Sequence, residues 1–318
     1  MGANTTTWPY PAGGANGAFG AGLLAGWSAA GNRPEFSMVT GISTGALTAP
    51  FAFLGPAYDA QLKEMYTTYS TKDLVIKRNI LATLTGDSAV DTTPLKKMLA
   101  KYVNQQVMEA IAAEYKKGRR LWVGTTNLDA KRPVIWNIGL IASSGQPDAL
   151  ELIHKVILAS ASIPAAFPPV LIEVEADGKR YDELHVDGGT ASQVFLYPAG
   201  LDWRIVAQKL EVKGTPKVYV IRNSILKPVW ETVKPKIMPI AGYSIDSLIR
   251  TQGIGDMYLI YLDCKRDGID YNLAYIPDDF SIKPKEDFDP VYMGKLYDLA
   301  YQLAKNGYPW DKAPPGFK

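Results

Sequence analysis

Three short segments hold residues whose types and spacing can do chemistry. Gly41-Ile42-Ser43-Thr44-Gly45 follows an apolar strand-forming run and opens a helix-forming one, the setting of a nucleophile elbow. A tight strand-to-helix turn strains the serine backbone, and glycines two before and two after it remove side chains expected to collide. Ser43 then stands at a helix start, where free N–H groups and the helix dipole favour an oxyanion or alkoxide. The same letters also fit a Gly-Ser turn with no chemistry. The second segment, Gly13-Gly14-Ala15-Asn16-Gly17, lies directly before a predicted helix. Its small side chains let backbone N–H groups face a developing oxyanion, although a flexible tail has the same composition. The third is His185-Val186-Asp187-Gly188-Gly189. Strand alternation puts His185 and Asp187 on one face, and the glycine pair permits a close turn. A carboxylate at this strand end is placed to meet Ser43. Because an ordinary aspartate, near pKa ~3.9, is a poor base for serine, a working pair needs burial that raises its proton affinity and a short hydrogen bond. An aspartate that merely caps a turn is the plain alternative.

The chain has two histidines, His154 and His185. A Ser-His-Asp triad using either of them competes with the Ser-Asp pair. Its order is wrong for α/β-hydrolases, which place the histidine after the acid, and no histidine follows residue 185. His154 falls inside a predicted helix and reads as a packed helix residue. Gly20-Ala21-Gly22-Leu23-Leu24-Ala25 matches a dinucleotide-binding fingerprint but falls inside a predicted helix, with no acid-ended strand after it. The single cysteine, Cys264, excludes a disulfide framework or a cysteine-rich zinc site and reads as a small buried hydrophobe. Scattered carboxylates and the lack of an H-x-x-x-H pair speak against a metal-dependent hydrolase.

The elements that must position these residues alternate between strand and helix. Met38 to Thr40 reads as a core strand, Thr44 to Leu54 as an apolar helix kinked or ended by Pro50, and Tyr58 to Tyr69 as an amphipathic helix. Helices follow behind Asp91-Thr92-Thr93-Pro94 and from Asn104 to Lys117. Arg120 to Asn127 and Pro133 to Asn137 read as neighbouring strands, Asp148 to Ser160 as a helix, and Asp177-Gly178 as a turn between two strands ending at Asp187. Farther on, a strand is expected at Lys217 to Ile221, a long helix from Tyr243 to Leu262, a strand near Tyr271 to Ile276 and a helix from Pro290 to Lys305. This alternation predicts a layered α/β domain with much parallel pairing and no linker to split it.

The 318 residues suffice for one large α/β domain, and 47% hydrophobic with 21% charged residues excludes disorder, collagen and coiled coil. A net charge of +2 gives no footprint for nucleic acid. Residues 1–32 carry no charge but lack the basic and continuous apolar regions of a signal peptide. The uncharged run Phe36 to Tyr58 is interrupted by Ser37, Thr40, Gly41, Ser43 and Pro50, so a buried strand and helix are expected there and the chain reads as soluble. Residues 203–250 hold nine Lys or Arg and three Asp or Glu, with Trp203, Trp230, Met238 and Tyr243. This segment reads as a solvated basic face, or as a cap over the Ser43 cleft facing lipid head groups.

Taken in order, Ala12-Gly13-Gly14-Ala15-Asn16-Gly17-Ala18-Phe19, Gly41-Ile42-Ser43-Thr44-Gly45-Ala46-Leu47, Ser160-Ala161-Ser162-Ile163-Pro164-Ala165-Ala166-Phe167-Pro168-Pro169-Val170 and Asp187-Gly188-Gly189 resemble the patatin-like phospholipase family over about residues 12–200. The resemblance implies a three-layer α/β/α fold with a mostly parallel central sheet and a nucleophile elbow. It also implies a carboxylic-ester or lipid acyl hydrolase with Ser43 as nucleophile, Asp187 as base, and backbone N–H groups of Gly13, Gly14 and Ala15 at the oxyanion. No metal or organic cofactor is required. Residues 1–318 are expected to form one domain, with 201–318 capping the active site. The implied partner is an ester or lipid, with peripheral contact to lipid surfaces and no transmembrane segment. Two departures stand out: Ala12 and Asn16 occupy positions where the family has a glycine and an arginine, and the prolines of Thr5-Thr6-Thr7-Trp8-Pro9-Tyr10-Pro11 do not suit a central first strand. A loosely held oxyanion loop would leave a weakly active or purely lipid-binding protein.

Overall fold

The computed structural model describes residues 13–78, 88–164, 166–192, 194–196, 214–227, 230 and 232–317, with residues 205 and 208. In chain order the elements are α1 (Gly13–Ala29), β1 (Met38–Gly41), α2 (Thr44–Leu54), α3 (Asp59–Thr67), α4 (Thr71–Leu74), β2 (Ile76–Lys77), β3 (Val90–Asp91), α5 (Thr93–Tyr102) and α6 (Gln105–Lys116). They continue with β4 (Arg120–Asn127), β5 (Arg132–Asn137), α7 (Ile138–Ala142), α8 (Ala149–Ser160), β6 (Val170–Ala176), β7 (Lys179–Asp187), β8 (Lys217–Arg222), α9 (Ile237–Asp267), β9 (Asp270–Tyr275) and α10 (Pro290–Lys305). The segment Thr5 to Pro11, whose prolines argue against a first strand, lies outside the described residues.

α1 carries no charged side chain and is buried along nearly its whole length, the environment that a helix apolar all round requires. The glycine-rich run is thus the first turn of the helix rather than a loop before it, and the dinucleotide-like glycines lie in the helix interior. Gly22 and Gly26, one turn apart, let α10 come close. A Cβ on either would lie 2.1 or 2.2 Å from the carbonyl oxygens of Tyr297 and Tyr301. α2 runs through Pro50 to its expected end at Leu54, and Gly55 after it takes a positive φ of 92°. A second, smaller apolar cluster gathers Val220 of β8, Met257 and Cys264 of α9, and Leu273 of β9. No helix among the described residues is long and apolar enough to cross a membrane.

The α/β/α class holds, but its sheet is less parallel than expected. In the five-stranded sheet β1–β4 is parallel, while β4–β5, β4–β7 and β6–β7 are antiparallel. β8 and β9 form a separate parallel pair. Connection length explains the difference, because parallel neighbours need a long crossover and short turns can join only antiparallel ones. Asp177 (φ 53°) and Gly178 (φ 72°) form a two-residue turn with both residues left-handed, the geometry that closes a hairpin.

One consequence of this pairing places the site. β5 occupies one edge of β4 over residues 122–127, so β1 and β7 must share the other edge. β1 pairs in parallel up to Gly41 opposite Val123, and β7 pairs antiparallel up to Asp187 opposite Thr125. The two strands therefore run toward each other and their C-terminal ends meet at the level of Gly124. Ser43 leaves one end and Asp187 closes the other.

Candidate active site

Ser43 has φ 56° and ψ −129°, a positive φ that a non-glycine residue adopts only under constraint from its surroundings. The constraint is visible in the turn: Gly45 N–H donates to the Ile42 carbonyl at 2.8 Å and Ala46 N–H to the Ser43 carbonyl at 2.9 Å. A Cβ on Gly41 would sit 2.5 Å from the Gly45 carbonyl oxygen, so this glycine is required. Gly45 is different. A Cβ there would meet nothing within 4 Å, and the expected collision exists on only one side of the serine.

Although Ser43 precedes α2, its side chain does not cap the helix. Its Oγ donates instead to Asp187 Oδ2 at 2.7 Å. The other carboxylate oxygen accepts Gly189 N–H at 2.7 Å. The backbone of Asp187 is held as firmly, with its N–H donating to the Ser162 carbonyl at 2.8 Å and its carbonyl accepting Thr126 Oγ1 at 3.0 Å. Asp187 is 2% exposed. Burial pushes its carboxyl up to about 6, against the lowering effect of the Ser43 and Gly189 hydrogen bonds. The pair thus combines a short hydrogen bond with a carboxylate whose proton affinity is well above the ordinary range.

Gly13, Gly14 and Ala15 are the first three residues of α1, where backbone N–H groups have no partner inside the helix. Gly14 lines the same cavity as Ser43, whereas Ala15 is fully buried. The helix start is tied to the elbow by Thr44 Oγ1, which donates to the Gly14 carbonyl at 3.3 Å. A Cβ on Gly17 would run into the side chains of Thr44 and Tyr66. Asn16 accepts a hydrogen bond from Tyr292 Oη at 2.6 Å and so joins α1 to α10.

Neither histidine is hydrogen-bonded to Ser43. His185 is buried, with Nδ1 hydrogen-bonded to Thr125 Oγ1 at 2.9 Å and Nε2 facing Glu183 Oε2 at 3.2 Å. Its pKa is lowered by burial, with Glu183 acting in the opposite direction. His154 Nε2 is hydrogen-bonded to the Val103 carbonyl at 2.6 Å. Among the described residues, no three His, Cys, Asp or Glu side chains cluster to hold a metal ion.

Three supporting residues escaped the reading of the sequence. Ser160, the last residue of α8, accepts Ser43 N–H at 3.1 Å and donates to the Gly124 carbonyl at 2.7 Å. Gly124 itself is the meeting point of the strand ends: a Cβ on Gly188 would lie 2.4 Å from its carbonyl oxygen, and a Cβ on Gly124 would lie 3.1 Å from Ile42. A glycine inside a predicted strand is a signal of close backbone approach, and that signal was present. The third is Tyr66, whose buried Oη donates to the Thr44 carbonyl at 2.8 Å and accepts from Thr48 Oγ1 at 3.1 Å.

A narrow cavity of about 60 Å³ opens beside Ser43. Leu47, Leu74, Val75, Leu95, Met98 and Phe167 make much of its wall, and Asp287, Phe288 and Met293 contribute from the C-terminal part of the chain. None of the described residues between 203 and 250 lines it. Trp203 lies outside the described residues, and Trp230 is 86% exposed. Chemically, the arrangement offers a hydroxyl hydrogen-bonded to a buried carboxylate, two helix N-termini and an apolar slot.

A model of the patatin-like phospholipase family matches residues 12–199, more than half of the chain. Among solved structures, the crystal structure of VipD from Legionella pneumophila is similar at 12% identity and a TM-score of 0.40, over 92% of this chain and 65% of that one. The chain thus spans about two thirds of VipD's length. A comparison with curated proteins finds no match.

Proposed function

The chain belongs to the patatin-like phospholipase family, and from that premise we propose that it is a serine carboxylic-ester or lipid acyl hydrolase working through Ser43 and Asp187. Ser43 Oγ attacks the ester carbonyl carbon while Asp187 takes its proton. The tetrahedral oxyanion is stabilised by backbone N–H groups at the start of α1, from Gly13, Gly14 and Ala15. Collapse of this intermediate expels the alcohol, which receives the proton from Asp187 and leaves the acyl group on Ser43. Water then attacks the acyl-enzyme, with Asp187 again as base. The chemistry needs no metal or organic cofactor.

The observation that carries this reading is the 2.7 Å hydrogen bond from Ser43 Oγ to a carboxylate whose proton affinity burial has raised. The apolar slot beside Ser43 suits an acyl chain. A triad through His185 lacks comparable support, since both ring nitrogens are engaged elsewhere. The close packing of α10 on α1, with Asp287, Phe288 and Met293 in the cavity wall, favours one domain whose C-terminal part completes the site. Peripheral contact with a lipid surface fits the exposed Trp230, Ile237 and Leu248. The test is hydrolysis of p-nitrophenyl butyrate by the wild type, Ser43→Ala and Asp187→Asn, with circular dichroism to confirm folding. Activity in the wild type that is lost in both variants is expected. Saturable ester binding without turnover, unaffected by Ser43→Ala, would instead indicate a binding protein on the same fold.

A further inference from the structure

The cavity beside Ser43 is walled mostly by apolar side chains, with the polar side chains of Ser43, Thr44, Tyr66 and Asp287 among its lining. Among the described residues that line it, Asp287 is the one with a charged side chain. The loop around it is fixed on both sides. Phe288 N–H donates to Thr71 Oγ1 at 2.9 Å, and the Phe288 ring lies against Gly14, where a Cβ would approach it to 2.7 Å. Asp289 accepts the N–H groups of Lys285 and Val291, both at 2.9 Å, and caps α10. Phe288, the residue after Asp287, and Lys285 and Asp289, two residues to either side of it, are therefore held by named contacts. Asp287 itself is half-buried and makes no hydrogen bond or ion pair with the described residues. Burial raises its pKa, Lys77 on β2 lowers it, and the adjacent Glu286 raises it.

An ionised carboxylate in an apolar wall retains its hydration only while nothing covers it. Hydrocarbon laid over it removes that water and supplies no hydrogen bond in return, so covering the charge is unfavourable. We propose that Asp287 is a specificity-determining residue of the acyl cavity, whose unpaired carboxylate selects against acyl chains long enough to cover it. The inference rests on the acyl-hydrolase reading and adds the residue that sets chain preference. Short acyl groups that stop before Asp287 do not meet this penalty. Once protonated, the carboxyl is neutral and the penalty shrinks, so the selection weakens as pH falls.

The experiment compares kcat/KM for p-nitrophenyl decanoate and p-nitrophenyl butyrate. Asp287→Asn should raise the decanoate-to-butyrate ratio about tenfold, the scale set by one pKa unit of differential interaction. In the wild type the same ratio should fall as pH rises through the titration of Asp287, and in Asp287→Asn it should stay flat. Protonation of Asp187 affects both substrates alike and cancels in the ratio, and Tyr66, pushed up to about 12, stays neutral. Glu286→Gln should leave the ratio unchanged, which separates Asp287 from its neighbour. An unchanged ratio in a folded, active Asp287→Asn overturns the proposal, as does a ratio in the wild type that ignores pH. Binding of p-nitrophenyl decanoate to Ser43→Ala, with and without Asp287→Asn, reads the same discrimination without turnover. Equal affinities there overturn the proposal even if the wild type hydrolyses neither ester, a result that would by itself count only against the hydrolase reading.

Discussion

Replacing Asp187 by Asn should make the protein more stable at neutral and alkaline pH while removing the base of the proposed mechanism. The carboxyl rises from the ordinary 3.8 to about 6 on folding, because burial disfavours its charged form more than the Ser43 and Gly189 hydrogen bonds favour it. At ~1.4 kcal/mol for each tenfold change in proton affinity, this rise costs the native state about 3 kcal/mol when the group is ionised. The sign follows from the protons bound. Native Asp187 holds its proton to higher pH than unfolded Asp187, so its contribution to stability is best below about pH 4 and is lost as pH rises through about 6. Asparagine has nearly the same shape and no charge. Its Oδ1 can still accept Gly189 N–H, and its amide can donate to Ser43 Oγ. Urea unfolding of both proteins should therefore show Asp187→Asn ahead by about 3 kcal/mol near pH 8, about 1.5 kcal/mol near pH 5 and about 0.5 kcal/mol near pH 4. A gap that does not change with pH, or a variant less stable than the wild type near pH 8, would refute the assignment of Asp187 as a buried carboxylate held ionised at a cost.

Because the proposed mechanism uses the ionised form of Asp187 as the base, kcat/KM for a neutral ester should rise with pH through about 6 and then level off, as a pH-rate profile at subsaturating ester would record. Gly41→Ala should abolish activity and lower stability, since its Cβ would press on the Gly45 carbonyl, whereas Gly45→Ala meets open space inside a helix and should hold or raise the melting temperature by the equivalent of about 1 kcal/mol. Gly22→Ala, which brings a Cβ to 2.1 Å from the Tyr297 carbonyl oxygen, should cost about 3 kcal/mol or more by chemical denaturation as α10 is forced off α1. His185→Ala should keep substantial esterase activity, and a loss comparable to that of Asp187→Asn would return the triad to consideration.

Much of the site was legible because its chemistry is local in sequence. The elbow is written in five consecutive residues, and the helix that follows Ser43 has the composition of a buried one. Strand alternation and the glycine pair place Asp187 at a strand end without knowledge of any partner. The element pattern was legible for the same reason: the final helix was placed at its observed limits, and the long helix before it was found but underestimated, spanning Ile237–Asp267 rather than Tyr243 to Leu262. The helix after Ser43 likewise has its expected limits, Thr44–Leu54, and of the two roles open to Pro50 an end is not taken, because the free energy a proline costs inside a helix is outweighed by packing where the helix is buried along much of its length.

The features that were not legible are those that depend on pairing between distant segments. Nothing in the order of residues states that β1 and β7 share one edge of β4 and converge on Gly124. That convergence is nonetheless what brings Ser43 within 2.7 Å of a carboxylate 144 residues away. It also explains why the supporting contacts come from β4 and the end of α8: once two strand ends meet head to head, the strand beside them and the helix over them are the available sources of partners for the freed backbone groups. Ser160 bridges Ser43 N–H to the Gly124 carbonyl, and the Ser162 carbonyl takes Asp187 N–H. Ser160→Ala accordingly bears on this geometry rather than on the proton transfer itself. It leaves Ser43 N–H and the Gly124 carbonyl without that hydroxyl, a cost of about 1–3 kcal/mol if water does not replace it. The expected result is a lower melting temperature and a reduced kcat with the pH profile of kcat/KM still rising through about 6. A Ser160→Ala protein that keeps both the wild-type melting temperature and kcat would show that the junction at Gly124 needs no bridge.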